Sequence, residues 1–314
     1  ALCHRPEPSC ARIVSRQRVE SRLVLMEQPL RYTFRPAKTH EAPAVAALLR
    51  TAVPKSVRPL TILGQDGVAA WIARAIRDAP SSSDRSSPAF HVAIAEGSIC
   101  GAAEWRQHDQ TVFLNSIAVA PPHQHRGIGT RLLQWGLREF STLDQVALDT
   151  FRDNLAVRHW YRRLGFQTEA SRPWLVCPPD AGIEASDRDS ANVDSSRVRL
   201  QNEADAEADH ERFGFSTLHF EIQHASGPRS YEVGRLGNDY FRITDVATAR
   251  ALPIRAALRA RDPSRSLLFL TPASPSDPDL PFPPEQTTCR AESLRMSAPF
   301  SVVDAALRDS LSSQ

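Results

Sequence analysis

From residue 31 the chain switches between two hydrophobic periods. "YTFRPA", from Tyr32, alternates at period two, and Val45, Leu48, Leu49 and Ala52 then fall at helical spacing, with Pro43 tolerable in a first turn whose amides lack partners. Val68, Trp71, Ile72, Ala75 and Ile76 recur at i, i+3, i+4, i+7 and i+8, which predicts a second amphipathic helix; "APSSSDRSSP" after it is a loop by composition. Three strands follow in "FHVAIAEG", "ICGAAEWRQ" and "TVFLNSIAV", joined by connections short enough for an antiparallel meander. The stretch "IAVAPPHQHRGIGTRLLQWGL" ends a strand at Val119, stops sheet pairing with Pro121 and Pro122, and starts a helix near Gly127. The apolar arc of Ile128, Leu132, Leu133, Trp135, Leu137 and Phe140 is too broad for a surface helix, so the body is buried and the N-terminus is the exposed working part. A strand over Val146 to Thr150 comes next, then Asp153 and Asn154 suited to an N-cap, then a helix bearing Val157, Trp160, Tyr161 and Leu164, ended by Gly165.

Beyond Cys177 the pattern fades. "PPDAGIEASDRDSANVDSS" and "NEADAEADHE" are polar, acidic and poor in large apolar residues, so residues 178–211 read as an acidic linker. Order returns from Phe213 with alternating Leu218, Phe220 and Ile222, then "YEVGRL", "DYFRIT", a helix over about residues 245 to 260 that Pro253 kinks or divides, and the strand "SLLFL". Residues 212–314 are thus a smaller α+β domain. Residues 1–30 hold Arg5, Arg12, Arg16, Arg18 and Arg22 with few large apolar side chains, and Met26 precedes "EQPLRYTFRPA". They read as a disordered extension or a start codon assigned too early; Glu7 and Glu20 count against an organellar leader.

Composition narrows the partners. The chain has 314 residues, 41% of them hydrophobic, enough for two packed cores. A net charge of +2 with 24% charged residues exerts no strong pull toward nucleic acid or a membrane surface, so neither is expected as a partner. Cys3, Cys10, Cys100, Cys177 and Cys289 form no C-x-x-C pair, which argues against a zinc knuckle or disulfide framework and for a reduced, cytoplasmic chain. No apolar run approaches the roughly 20 residues that span a bilayer.

The helix start near Gly127 is where chemistry is expected. Free N–H groups there, with the helix dipole behind them and glycines that admit a ligand to the backbone, suit a pyrophosphate. The dinucleotide pattern G-x-G-x-x-G fails because Leu132 stands at its third glycine, and G-x-x-x-x-G-K-[ST] does not occur. Taken alone, G-x-G at a helix start also describes a plain tight turn. His123 and His125 are too few for a metal site without a third ligand, and no metal is expected.

Two linked motifs go further. Gln124-His125-Arg126-Gly127-Ile128-Gly129, preceded by Val119-Ala120-Pro121, resembles the Q/R-x-x-G-x-G/A signature of the GNAT superfamily of acyl-CoA-dependent N-acetyltransferases. Asn154 followed by Tyr161-Arg162-Arg163-Leu164-Gly165-Phe166 resembles that family's second signature. The resemblance covers residues 31–177. It implies an α/β (α+β) GNAT fold: a mixed, mostly antiparallel sheet splayed between the fourth and fifth strands, with acetyl-CoA as cosubstrate in the split. It also implies that the amides of Gln124, His125, Arg126, Gly127, Ile128, Gly129 and Thr130 hold the pyrophosphate, that the backbone of Ile117, Ala118 and Val119 pairs with the pantetheine arm, and that Asn154 joins the cofactor-binding set. His125 stands where many members have Gly. An amide near Val119 would serve the oxyanion, and Tyr161 would protonate the leaving thiolate, where the plain alternative is packing against Trp160, Leu164 and Phe166. Where relatives carry a basic Glu this chain has Asn115, which cannot take a proton; Glu104 on the preceding strand is the nearest acid by topology, against the plain alternative of a solvated strand residue, and a water chain ordered by Asn115 and Ser116 is the other route.

The expected activity is acetyl transfer from acetyl-CoA to a primary amine of a small molecule or peptide, with a homodimer open as an assembly. The rival is a non-catalytic acyl-CoA-binding module that contacts a partner protein through its C-terminal domain. The strand, helix, strand order there, followed by "ESLRMSAPF", resembles a partial, degenerate copy of the same fold that has lost both signatures.

Overall fold

The hydrophobic periods become the elements they predict. In a computed structural model that describes residues 31–79, 87–181, 198–224, 226–270 and 282–312, the first half runs β1 (Tyr32–Pro36), α1 (Ala42–Arg50), α2 (Val68–Asp78), β2 (Ala89–Ala95), β3 (Ser98–His108), β4 (Thr111–Val119), α3 (Ile128–Leu137), β5 (Gln145–Phe151), α4 (Leu155–Arg163) and β6 (Gln167–Cys177). β1 to β4 form an antiparallel meander, whereas β4 and β5 run parallel with α3 as the crossover.

The second half repeats that order. β7 (Val198–Leu200) and α5 (Glu203–Phe213) lead into the antiparallel strands β8 (Phe215–His224), β9 (Gly227–Leu236) and β10 (Tyr240–Ile243). A helical crossover then reaches β11 (Ser266–Leu270), which is parallel to β10. The crossover is split into α6 (Val246–Arg250) and α7 (Leu252–Arg261) where Pro253 sits, because proline suits a first turn and no helix interior. β12 (Thr288–Pro299) and α8 (Phe300–Ser312) finish the described chain.

Two expectations need correction. The linker read over residues 178–211 is wrong at its end, since β7 and α5 lie inside or across it. The acidic run "EADAEAD" is a solvated helix face: Ala206 and Phe213 turn inward, while Arg74 pairs with Asp209 at 2.6 Å and Arg235 with Glu207 at 2.7 Å. Residues 182–197 of that linker, like the extension 1–30, lie outside the described residues.

The second correction concerns where the halves part. The sheet is continuous, in the order β1-β2-β3-β4-β5-β12-β6-β11-β10-β9-β8-β7. β12, from the second half, pairs with β5, and β6, from the first, pairs with β11, so the halves exchange strands and meet where β12 and β6 run antiparallel. From Tyr32 onward the contacts form one unit. α8 follows β12 across and adds Val303 and Leu307 to the core beneath α3. Composition falls off at Cys177; the sheet does not.

One face of the first half carries α3 over Trp105, Val112, Leu114, Val146 and Leu148, and the other carries α1 and α2 over Val92, Ala102 and Ala118. Gly136 is what seats α3, because a Cβ there would lie 2.5 Å from the buried Trp105 ring.

Candidate functional site

β4 and β5 pair only from Thr111↔Gln145 to Leu114↔Leu148, although β4 runs on to Val119 and β5 to Phe151. The strands therefore part after Leu114. β4 is bulged at the same place: Glu104 faces Ser116 and Trp105 faces Leu114, leaving Asn115 as the extra residue, exposed at the fork.

Above the parting Ala120 N–H donates to the Cys100 carbonyl of β3 at 2.8 Å. By the period of two, Ala118 turns its backbone polar groups toward β3 as well, while those of Ile117 and Val119 face the opening. Gln124 Nε2 donates to the Val119 carbonyl across that opening at 2.9 Å. Of the three residues expected to meet a pantetheine arm, Ile117 has its backbone groups and Val119 its amide turned to the opening, the Val119 carbonyl being taken by Gln124. Ala118 has its own turned to the sheet and its side chain buried with Ala102.

The chain next makes a short turn, with His123 N–H donating to the Ala120 carbonyl, and enters α3. Gly127 caps the helix at φ 74°, the left-handed region that favours glycine. Arg131 N–H is the first to find a helical acceptor, the Gly127 carbonyl, so the amides of Ile128, Gly129 and Thr130 point out of the helix end. His125 also sits at positive φ, 59°. That explains why glycine suits its position, and histidine is among the side chains that tolerate the left-handed region best. Gln124 N–H is bonded to the Pro121 carbonyl at 3.3 Å, which takes it out of the expected amide set.

α4 closes one wall. Asn154 is its N-cap, its Oδ1 accepting from Val157 N–H at 3.4 Å, and its side chain is engaged there rather than toward α3. A Cβ on Gly129 would lie 3.5 Å from the Trp160 ring and 3.9 Å from Val119, so α3, α4 and β4 converge at this point. Tyr161 is 4% exposed, with ring centroids 4.8 Å from Trp160 and 5.5 Å from Phe166. Burial raises the pKa of its phenol, which keeps the proton on. Among the described residues its hydroxyl has no hydrogen-bond partner.

Glu104 lies on the opposite face of the sheet, and the expectation of a solvated strand residue is corrected: it is 0% exposed. Arg106 donates to its Oε1 through Nε at 3.1 Å and Nη2 at 2.9 Å, while Oε2 is buried without a partner. The Arg106 guanidinium stacks in turn on Trp71 of α2, 5.6 Å from the ring centre. Tyr161 and Glu104 are thus separated by the sheet except where β4 and β5 have parted. The His123 ring meets the Tyr32 hydroxyl at 3.5 Å, and among the described residues no group of three or more His, Cys, Asp or Glu gathers.

The corresponding corner of the second half is closed. β10 and β11 pair along all of Tyr240–Ile243, and the first turn of α6 is filled by the chain's own carboxylate: Thr248 N–H donates to Asp245 Oδ1 at 2.7 Å.

A fold with one splayed parallel pair, a glycine-capped helix at the fork and an exchanged second copy defines a class. Residues 62–166, about a third of the chain, match the acetyltransferase (GNAT) family model, so the first half contains a GNAT domain. The curated relative YesJ of Bacillus subtilis, an uncharacterized N-acetyltransferase, is 31% identical over 62 residues, which are 19% of this chain and 34% of that protein. The chain thus matches about a third of that relative's length. Two solved structures share the fold over most of the chain. A tandem GNAT protein from the clavulanic acid biosynthesis pathway aligns at a TM-score of 0.51 and 12% identity over 86% of this chain and 99% of its own. A candidate acetyltransferase of Pyrococcus horikoshii aligns at 0.52 and 13% over 85% and 89%.

Proposed function

We propose that the protein is an acetyl-CoA-dependent N-acetyltransferase with one active site, in the first half. The observation that carries this reading is the fork itself: outward amides at the start of α3, the open backbone edge of Ile117 and Val119, Tyr161 on one face of the parted sheet and Glu104 on the other. Acetyl-CoA supplies the acetyl group as a thioester. The amides of Ile128 to Thr130 at the positive end of α3 hold its pyrophosphate, and Gly129 leaves the helix end uncovered. Ile117 and Val119 align the pantetheine arm, and the Val119 amide faces the carbonyl oxygen where negative charge grows. Tyr161 keeps a proton at its hydroxyl for the departing sulfur, and Glu104 Oε2 takes one from the attacking ammonium, whose reference pKa of about 10 makes a base useful.

Two measurements test the reading. Acetyl-CoA at a hundredfold excess over its Kd should stabilise the protein by about 2.7 kcal/mol. Gly129→Leu, whose Cβ would already touch the Trp160 ring at 3.5 Å, should lose that gain, with its folding checked by the melting curve without ligand. A panel of primary amines screened by mass for acetylated product should then yield an acceptor. Binding without any product favours instead the acyl-CoA-binding module.

A further inference from the structure

The face of the central sheet on the Glu104 side carries more positive charge than it neutralises. Asp149 on β5 and Arg295 on β12 are register partners and form a bidentate pair at 2.6 and 3.0 Å, with Arg295 stacked 4.7 Å from the Phe113 ring centre. Arg106 is matched by Glu104. Two further guanidiniums have no such match: among the described residues neither Arg172 on β6 nor Arg242 on β10 forms a salt bridge, and Arg172 Nε is buried without a partner.

Arg242 comes from the second half but belongs to this face. Its register partner is Leu268, which packs with Val57 and Leu60 of the first half and with Trp174. Burial, followed by the like charge of Arg106, lowers its pKa, and only Asp149, already paired with Arg295, acts against this. Burial and then Arg295 do the same to Arg172, against Asp149 and Glu169. Gly234 faces Arg242 across the sheet, and a Cβ there would lie 3.2 Å from the arginine's own Cβ and 3.9 Å from its Cδ. Glycine thus leaves the stem room to lie flat. Removing a cation from water beside another cation is costly unless an anion completes the site. The orphaned buried oxygen of Glu104, one salt bridge away through Arg106, is the complementary feature, an acceptor waiting for a donor.

We propose that the acceptor is a primary amine that also carries an anionic group, a carboxylate or phosphate, with its ammonium directed to Glu104 Oε2 and its anion to Arg242 and Arg172. The second half then supplies the specificity-determining arginine of a reaction carried out in the first. This inference rests on the acetyl-transfer reading, and its test separates the two.

Matched probes keep the amine and change only the far end: 4-aminobutyrate, 3-aminopropylphosphonate and L-alanine, against 4-aminobutyramide, 3-aminopropanol and L-alaninamide. We expect at least tenfold higher kcat/KM for the anionic members, with the carboxylate and phosphonate arms telling which anion fits. In Arg242→Gln that ratio should fall toward one, and in Arg242→Lys it should partly survive. Equal rates within the pairs, a preference for the neutral members, or an undiminished ratio in a folded Arg242→Gln would overturn the proposal. If Arg242→Gln does not fold, Arg172→Gln carries the ratio measurement. If no probe is acetylated while acetyl-CoA binds, the activity reading fails first. Calorimetry of the same probes on the coenzyme A-loaded protein then decides: anion-selective binding that Arg242→Lys weakens supports the site, and its absence refutes it.

Discussion

Tyr161→Phe separates chemistry from packing because the two make opposite demands on the hydroxyl. The ring lies between Trp160 and Phe166 in a core that also holds Ile117 and Val119, and phenylalanine preserves all of that contact area. The hydroxyl forms no hydrogen bond among the described residues, so its removal breaks none and takes away only a polar group in a largely apolar setting. Stability should be unchanged or rise, by up to about 1 kcal/mol. Loss of a general acid, by contrast, costs about 10²- to 10⁴-fold in turnover, roughly 3 to 5 kcal/mol of barrier. Melting curves report the first quantity. Coenzyme A release, read with a thiol reagent against a no-amine control because Cys289 is exposed, reports the second. A variant that melts higher yet turns over a hundred times slower is the expected result. Equal turnover with chemistry shown to be rate-limiting would refute the acid role, and a loss of stability above 1 kcal/mol would refute the account of its surroundings.

The remaining predictions concern stability and assembly. Arg35 forms a two-pronged salt bridge with Glu41, at 2.8 and 2.6 Å, and holds its carboxyl at about 2 against an ordinary 4.5, so Glu41→Gln should cost up to about 3 kcal/mol at pH 7. A depressed pKa stabilises above the unfolded value, so this difference should persist above pH 4.5 and vanish as the pH falls through about 2; a pH-independent cost in denaturant titrations would contradict the pairing. For the buried Tyr161 phenol, whose pKa is raised, the sign reverses: its contribution is complete below the unfolded value near 10 and is lost as the pH rises, so Tyr161→Phe should flatten the alkaline decline in melting temperature. His125→Gly should be neutral or stabilising and Gly127→Ala destabilising by about 1 kcal/mol, since both positions have positive φ and only one already has glycine; equal and opposite shifts to these would exclude the turn geometry. A site-specific protease sequence placed within residues 182–197 should give two fragments that co-elute in native buffer and separate in denaturant, because β12 lies between β5 and β6; fragments that part freely would refute the strand exchange.

What the sequence disclosed tracks the range of the interactions involved. The Gly127 cap, the outward amides after it, the Asn154 cap and the division of the last crossover at Pro253 follow from neighbours a few residues apart, and each was legible in the chain. Reading the run from Glu203 as linker failed because its charges are neutralised by Arg74, Arg235 and Arg261, brought from elsewhere in the chain, and local composition holds no trace of them. The plain reading of Glu104 as a solvated strand residue failed similarly: alternation assigns a face, but only the elements packed on that face make it an interior. The exchange of β6 and β12 is the extreme case, since "ESLRMSAP" carries the pattern of any half-buried strand and nothing in it names β5 as its neighbour. Arg242 is a lone charge in "YFRI", and its significance depends on the charge of Arg106, which comes more than a hundred residues earlier in the chain.

The exchanged strands give the second half, whose own parallel pair stays closed, a structural part in the first. Its own fork is sealed by the full β10–β11 pairing and by the Asp245 carboxylate at the start of α6, so no second anion is drawn there. Yet it supplies β12, which pairs with β5 along Ser293–Pro299 and places Arg295 against Asp149 beside the fork. A first half deprived of β12 would leave the edge of β5 unpaired and Asp149 without its partner, and an exposed strand edge is a site of aggregation rather than of binding. The two halves therefore differ in what they offer the fork: the start of α6 is closed by its own carboxylate, whereas β12 extends the sheet beside β5 and Arg242 lies on the proposed acceptor face. On this argument substitutions at Asp245 should leave acetyl-CoA affinity unchanged, while Arg295→Ala should weaken the acceptor site despite lying 146 residues from Asp149 in sequence.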